Sequence, residues 1–546
     1  MKRSSFVEGT FIATLAIVLT KILGMLYVIP FYAMVGIQGS ALYAYAYNIY
    51  IIFLDISSAG LPIAISKIIN EYNTLGMMDA KVRAYRIGKS VMAFLAVAIF
   101  ILLMCFAPQI AKLLLGDLSG GNTIRDVALA IRCVSFAILI VPFLSVIKGY
   151  LQGHNVINVS SYSQVIEQVV RVSIILGGTY LILNVFKGTV TQAICLSVFG
   201  AFISGLVAYL FIRFMIHKDG KELSINKKYE KDNVSNKEIV KKIFTYAVPF
   251  IIINIVSSCY NFVDMTLLLR TMNYLNLETS DIEFVTSAVT TWAPKINMII
   301  TSVAMGMSTS LIPTMVTAYT LKNWTEVNNK FNQALQILIF ISLPMTIGIS
   351  LLSMAVWSVF YGYNVYGSYI LALNVFTGLF INIYMTTSSA LQGLNKFKTV
   401  YLSTIVGFVS NALLDVPIML LYNKIGIPPF LGAVTASIIG YSLSIIIALI
   451  SLKKDCKLAY GSTLKVLGKM IVPTLAMILV VILLNTLIPI NYASKLSCIV
   501  NIAIIAVVGA IVYIGISWKM GIVESVLGKR MVNKFLKKLT FGKVSI

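Results

Sequence analysis

Apolar stretches of about twenty residues, the length of helix that crosses a bilayer's hydrocarbon core, recur from end to end of this 546-residue chain. Hydrocarbon offers no water to a backbone amide, so stretches of this length must be helices that satisfy their own hydrogen bonds. Only 12% of residues are charged and 58% are hydrophobic, whereas soluble domains are about a quarter charged. A soluble enzyme, a disordered chain and a nucleic-acid-binding domain are therefore excluded. The net charge of +23 reads first as Lys and Arg gathered in cytoplasmic loops.

Charged and Pro/Gly-containing turns bound fourteen expected spans, near 8–35, 42–68, 90–115, 128–147, 161–184, 190–214, 243–268, 286–318, 332–360, 369–390, 399–422, 431–452, 470–490 and 496–517. With the N-terminus inside, alternate loops collect Lys81, Arg83, Arg86 and Lys89, the cations between Lys218 and Lys242, and Lys453, Lys454, Lys457, Lys465 and Lys469. The opposite loops keep few, so both termini are expected to be cytoplasmic. Leu151-Gln152-Gly153-His154-Asn155 ends the fourth span and Leu391-Gln392-Gly393-Leu394-Asn395 ends the tenth; Pro62 and Pro313 sit late in the second and eighth. Both spacings are six spans, an even number, which predicts two parallel repeats. The expected organisation is a six-helix lobe over 1–216, a polar cytoplasmic linker over 217–242, a second six-helix lobe over 243–455, helices thirteen and fourteen over 456–517, and a basic tail over 518–546. The tail suits an amphipathic helix on an anionic leaflet and equally suits plain positive-inside bias.

Charges at bilayer depth are costly and persist where they meet a partner or a hydrated cavity. In the fifth span Ser160, Gln164, Gln168 and Arg171 share one stripe, with Glu167 beside them. Glu167 and Arg171 could neutralise each other four residues apart. That pairing leaves the glutamines unexplained, so the stripe is read as cavity lining. The seventh span carries Asn254, Ser257, Asn261 and Asp264 at helical spacing, the first carries Lys21, and the second carries Tyr43, Tyr45, Tyr47, Tyr50 and Asp55. Tyr43 and Tyr45 read as an interfacial belt. Lys295, after Pro294, reads either as an end-of-helix cation or as a cavity cation; Asn411 and Asp415 pose the same choice. Lys21, Arg171 and Lys295, with Glu167, Gln164 and Gln168, are the expected ligands of an anionic substrate, above all a phosphate. The six cysteines lack metal-ligand spacing and there are two histidines, so neither a metal centre nor another cofactor is expected. Gly88-Lys89-Ser90 lacks the earlier glycine and the strand of a nucleotide-binding loop. Coupling to the membrane potential, or to Na⁺ or H⁺ through Asp55, Glu167 or Asp264, is the expected energy source.

Three runs resemble a known family: Thr20-Lys21-Ile22-Leu23-Gly24-Met25-Leu26-Tyr27-Val28-Ile29-Pro30, Ala59-Gly60-Leu61-Pro62-Ile63-Ala64-Ile65-Ser66-Lys67, and Gly149-Tyr150-Leu151-Gln152-Gly153 leading to Ser163-Gln164-Val165-Ile166-Glu167-Gln168-Val169-Val170-Arg171-Val172. They resemble the stage V sporulation protein B-like polysaccharide and lipid II flippase group of the multidrug/oligosaccharidyl-lipid/polysaccharide exporter superfamily. The resemblance implies an all-α bundle of about fourteen transmembrane helices, two six-helix lobes in a V shape plus two more helices, working by alternating access. It implies a bacterial cell-membrane flippase, not an enzyme, moving an undecaprenyl-diphosphate-linked saccharide from the inner to the outer leaflet. Lys21 stands where that group has the first of two cavity arginines and Tyr27 where it has the second; Lys295 falls about one residue from a cavity arginine of the eighth helix. Helices thirteen and fourteen would border a groove for the lipid tail. A drug/cation antiporter of the same superfamily is the alternative.

Overall fold

The computed structural model describes residues 6–528 except 59, 117, 119–120, 155, 220–228, 230–231, 303–314, 316–317 and 320. Every regular element among them is helical. Among the described residues eleven helices are long and apolar enough to cross a membrane; treating the bent pair Leu15–Leu26 and Val28–Ile56, angled at 41°, as one span gives twelve. That is the count to set beside the expected fourteen. Part of the expected eighth span, and the Pro313 of the sequence echo, lie outside the described residues, as does the tail beyond Gly528.

The chain divides into two compact units, Met1–Thr291 and Trp292–Ile546. The first holds α1 (Phe6–Leu26), α2 (Val28–Ser58), α3 (Leu61–Thr74), α4 (Met78–Leu115), α5 (Ile124–Gly153), α6 (Ile157–Tyr180), α7 (Val190–Asp219), α8 (Asn236–Tyr274) and α9 (Thr279–Ser287). The expected single span over 42–68 is two elements, with Pro62 in the first turn of α3 rather than late in a span. The break falls just before Pro62, which has no N–H to carry a helix on from α2; beside it Gly60 lies so close to Ala247 that a Cβ would fall 2.2 Å from its carbonyl oxygen. Proline is tolerated in a first turn and breaks a helix interior. At 14 residues α3 is about 21 Å long, too short to span. It is amphipathic: Leu61, Ile65, Ile68, Ile69 and Tyr72 are buried, while Lys67 and Asn70 are exposed.

The buried face of α3 packs on α5 at close range. A Cβ on Gly149 would sit 2.5 Å from the Pro62 carbonyl oxygen, and one on Gly153 2.8 Å from that of Ser66. Around this contact Tyr85, Ile147, Tyr150, Ile212 and Ile243 complete a core drawn from α4, α5, α7 and α8. Part of the polar stretch 217–242 is helical, because Ser235 Oγ accepts from Glu238 N at 3.2 Å and starts α8 at Asn236. Arg83 fastens the approach to α8: it pairs with Asp79 at 2.7 Å and donates to the Val234 carbonyl at 2.8 Å and Asn236 Oδ1 at 2.9 Å.

The second unit holds α10 (Trp324–Leu351), α11 (Ser353–Tyr361), α12 (Val365–Gly393), α13 (Phe397–Lys424), α14 (Leu431–Cys456), α15 (Gly461–Leu487), α16 (Lys495–Lys519) and α17 (Ile522–Leu527). The sequence echo has a backbone counterpart. Both α5 and α12 end at the glycine of the motif, and each closes with the same bond over five residues, Val156 N to Leu151 O at 2.9 Å and Lys396 N to Leu391 O at 2.8 Å.

Candidate functional site

The α6 stripe meets charged and aromatic side chains from the neighbouring helices. Glu167 accepts from two cations at once: Oε1 from Arg171 Nη2 at 2.7 Å and Oε2 from Lys148 Nζ at 3.0 Å. Arg171 Nε also donates to Ser204 Oγ on α7 at 3.4 Å. Two positive charges on one carboxylate leave the cluster one unit positive. The three side chains are mostly buried, with exposures of 18% for Lys148, 15% for Glu167 and 23% for Arg171. Gln164 and Gln168 are half-buried on the same stripe. Ser160 is buried and accepts from Gln152 Nε2 at 3.2 Å, tying the end of α5 to the start of α6.

Tyr43, Tyr47 and Tyr50 of α2 lie within electrostatic reach of Arg171. Tyr43 and Tyr47 stack at 5.6 Å, and Tyr47 and Tyr50 follow at 6.2 Å. The belt expected of Tyr43 and Tyr45 is thus overturned, since both are buried in the bundle. Spacings of four and three put Tyr43, Tyr47 and Tyr50 on one helix face, which here looks inward. Tyr27, at the place of the family's second arginine, joins them through a 3.2 Å hydroxyl contact with Tyr43.

Lys21 lies on the protein-facing side of α1. Leu15, Val18, Leu19, Ile22 and Leu26 form the exposed apolar stripe, and helical periodicity turns Lys21 about 120° away from it. Gly24, one turn on, lies against Gln168: its Cβ would be 3.3 Å from Nε2. Lys21 is half-buried, and among the described residues no hydrogen bond or ion pair engages its ammonium. Helices α1 and α6 therefore meet at Gly24 and Gln168, while Glu167 and Arg171 on α6 are engaged by Lys148 of α5 and Ser204 of α7. Lys295 belongs to the second unit, its Nζ 4.5 Å from the centroid of the Trp292 ring, a cation–π contact.

The carboxylates singled out for ion coupling separate from one another. Glu167 is in the cation cluster. Asp55 is half-buried and accepts a hydrogen bond from Ser258 Oγ of α8. Asp264 is buried on α8. Of the expected α8 stripe, Ser257 is exposed and bonds back to Ile253 O at 2.9 Å. Asn411 and Asp415 are fully buried in α13 of the second unit. No group of three or more metal-ligand side chains forms among the described residues.

Two residues of weight escaped the sequence reading. Lys148 lies one position beyond the expected fourth span, outside the stretch searched for charges at bilayer depth. Glu283 is 2% exposed and accepts from Asn122 N at 2.6 Å and Asn122 Nδ2 at 2.9 Å, holding the α4–α5 turn. Only the tertiary fold brings these pairs together, across 19 and 161 positions.

In the second unit, α10 and α11 meet α15 and α16 around an apolar groove of about 420 Å³, bordered by Phe340, Met345, Gly348, Met477, Gly509 and Tyr513. Its α15 and α16 walls are the expected helices thirteen and fourteen.

A bundle with eleven or twelve candidate spans, a net-positive side-chain cluster and an apolar groove defines a multi-pass helical membrane protein. Residues 6–319 match the family described as polysaccharide biosynthesis protein, and the chain belongs to that family. It is 31% identical over 544 residues to the lipid II flippase MurJ of Bacillus subtilis (strain 168), covering 98% of this chain and 99% of that one. It is 26% identical over 250 residues to stage V sporulation protein B of the same organism, covering 46% of each. Among solved structures, a lipid II flippase MurJ in an inward closed conformation superposes with a TM-score of 0.66 at 19% identity, over 92% of this chain and 98% of that one.

Proposed function

We propose that the chain is a flippase that carries an undecaprenyl-diphosphate-linked saccharide from the inner to the outer leaflet of the bacterial cytoplasmic membrane. The observation that carries this reading is the excess positive charge at Glu167, shared by Lys148 and Arg171. The likeness to the named lipid II flippase along nearly the whole chain supports it.

The physical obstacle is the headgroup. A diphosphate sugar bears charges and many hydroxyls, each costing several kcal/mol to strip of water. A barrier of about 25 kcal/mol would permit about 10⁻⁶ crossings per second. A hydrated cationic cavity lowers the barrier by replacing lost water with fixed charges, while the polyprenyl tail stays in hydrocarbon. In this proposal Arg171, Lys148 and Lys21 hold the diphosphate, and Gln164 and Gln168 donate to sugar or phosphate oxygens. Lys295 is the second unit's cation for the same class of ligand. The apolar groove beside α15 and α16 takes the tail. Access alternates between the two faces, and both termini are cytoplasmic. An inside-negative potential favours outward movement of an anion by about 2.3 kcal/mol per charge per 100 mV; Asp55 and Asp264 are the residues for any coupled Na⁺ or H⁺. A drug/cation antiporter is disfavoured because Glu167, which a cation would need, is already held by two cations.

The test is flipping of a polyprenyl-diphosphate sugar in proteoliposomes, with and without an imposed potential. Transport that Arg171→Gln abolishes supports the reading. Efflux of cationic drugs without movement of the lipid-linked sugar would sink it.

A further inference from the structure

Arg132 is a cation within a membrane span that the Glu167 cluster does not engage. It stands eight residues into α5, about 12 Å from the helix start. That is about one turn inside the expected fourth span, where a cation persists only against a partner. Among the described residues it pairs with no carboxylate, and its hydrogen bond goes to a backbone carbonyl. That bond has a definite origin. Pro108 lies inside α4 and has no N–H, so the carbonyl four residues earlier, that of Met104, loses its helical donor. Arg132 Nε supplies the missing bond at 3.2 Å. The guanidinium is thereby held at the α4–α5 seam, and the N–H groups of its two terminal nitrogens remain for another acceptor.

The surroundings fit one kind of acceptor. Phe136, one turn further along α5, meets Phe100 of α4 with ring centroids 5.1 Å apart. The two helices therefore run antiparallel in a register that brings Arg125 level with Ala111 and Lys112. Arg125, Leu129 and Arg132, spaced four and three, share one face of α5. Leu129 on that face and Phe106 across the seam are exposed, and in a bilayer such side chains touch lipid. The neighbouring carboxylate, Asp126, is turned to α7, its Oδ1 accepting from Thr191 Oγ1 at 3.0 Å. Two cations at the level of the headgroups, a fixed guanidinium one turn deeper and apolar surface around it follow the profile of a phosphate and its acyl chains. Guanidinium matches phosphate with paired hydrogen bonds.

We propose that the α4–α5 seam binds an anionic diacyl phospholipid in the leaflet where α5 begins, its phosphate held by Arg132 and its acyl chains lying against Leu129 and Phe106. With both termini cytoplasmic, this is the outer leaflet. A zwitterionic lipid would bring its own ammonium toward Arg125 and Lys112, so the anionic headgroup is the one selected. The seam is separate from the Lys148–Glu167–Arg171 cluster and from the apolar groove of the second unit, and its occupancy does not depend on what the chain transports.

The test replaces Leu129 of the full chain by the photoreactive p-benzoylphenylalanine, in nanodiscs of equal parts phosphatidylglycerol and phosphatidylcholine, and reads lipid adducts by mass spectrometry. The same probe in place of Leu413, an exposed residue of α13, reports the ordinary lipid surround. The ratio of phosphatidylglycerol to phosphatidylcholine adducts is expected to be about five-fold higher at 129 than at 413. Arg132→Gln should bring the ratio at 129 down to that at 413, with thermal unfolding confirming a folded variant. Should Arg132→Gln fail to fold, the comparison of the two positions in the parent decides alone. Equal ratios at the two positions, or an enrichment that survives Arg132→Gln, overturns the proposal. Phosphatidylethanolamine in place of phosphatidylglycerol should show no enrichment; an equal enrichment would overturn the anionic headgroup. Undecaprenyl phosphate added in equal amount should leave the phosphatidylglycerol adducts in place, and their displacement would overturn the diacyl occupant.

Discussion

Lys148 Nζ stands 3.0 Å from Glu167 Oε2, while Arg171 holds the other oxygen of the same carboxylate. The arrangement turns a neutral helix pair into a site with charge to spare. Lys148→Met is expected to keep the Glu167–Arg171 pair and the fold, yet lower flipping by about ten-fold, equivalent to about 1.4 kcal/mol of transition-state stabilisation. Glu167→Gln is expected to act the other way on stability, leaving two cations facing each other at a cost of about 2–3 kcal/mol. Unfolding temperature and flipping rate, measured on both variants, separate the effects; unchanged flipping in Lys148→Met would remove Lys148 from the site.

Lys21 is expected to work by charge. Lys21→Arg should retain flipping, Lys21→Gln should lower it about ten-fold or more, and Lys21→Glu should abolish it with the protein still folded. Proteoliposome transport gives the rates. Wild-type transport by Lys21→Glu would show that α1 presents no cation to the substrate.

The α3–α5 contact predicts opposite outcomes for two glycines. Gly149→Ala places a methyl 2.5 Å from the Pro62 carbonyl oxygen and should destabilise by about 1–3 kcal/mol. Gly177→Ala on α6 meets nothing within 4 Å and should be neutral or stabilising by up to about 1 kcal/mol, through helix propensity. Thermal unfolding in detergent compares them directly.

Gly348 borders the apolar groove, and nothing lies within 4 Å of its missing Cβ. Gly348→Phe should fill the groove without straining the fold. Transport of a substrate with a long polyprenyl tail should fall several-fold, while a short-tailed analogue should be spared. Equal loss for both would point to a fold defect rather than an obstructed tail.

Much of the fold was legible in the sequence because the bilayer imposes length and periodicity on every span. The α6 stripe was legible for the same reason: polar residues three and four apart declare a common face. What escaped needed information that runs between helices. Lys148 looked like a span end, and its meaning lies in Glu167 on the next helix. Tyr43 and Tyr45 looked interfacial because composition alone cannot distinguish an aromatic row beside headgroups from one buried in the bundle. The break before α3 escaped because apolar residues continue through it, although Pro62 removes the hydrogen bond that a continuous helix would need there.

The shared ending of α5 and α12 carries a consequence for how such a protein divides its labour. The same five-residue closure finishes both helices, yet Gln152 reaches forward to Ser160 on the following helix while Gln392 turns back to Ser388 on its own. One backbone plan is thus used twice with different wiring. In the first copy the glutamine stitches the stem to the helix that bears the charges, so motion of either is felt by the other. In the second copy the tie between stem and following helix sits elsewhere, at the Tyr384 hydroxyl of α12, which meets Ser403 Oγ of α13 at 3.2 Å.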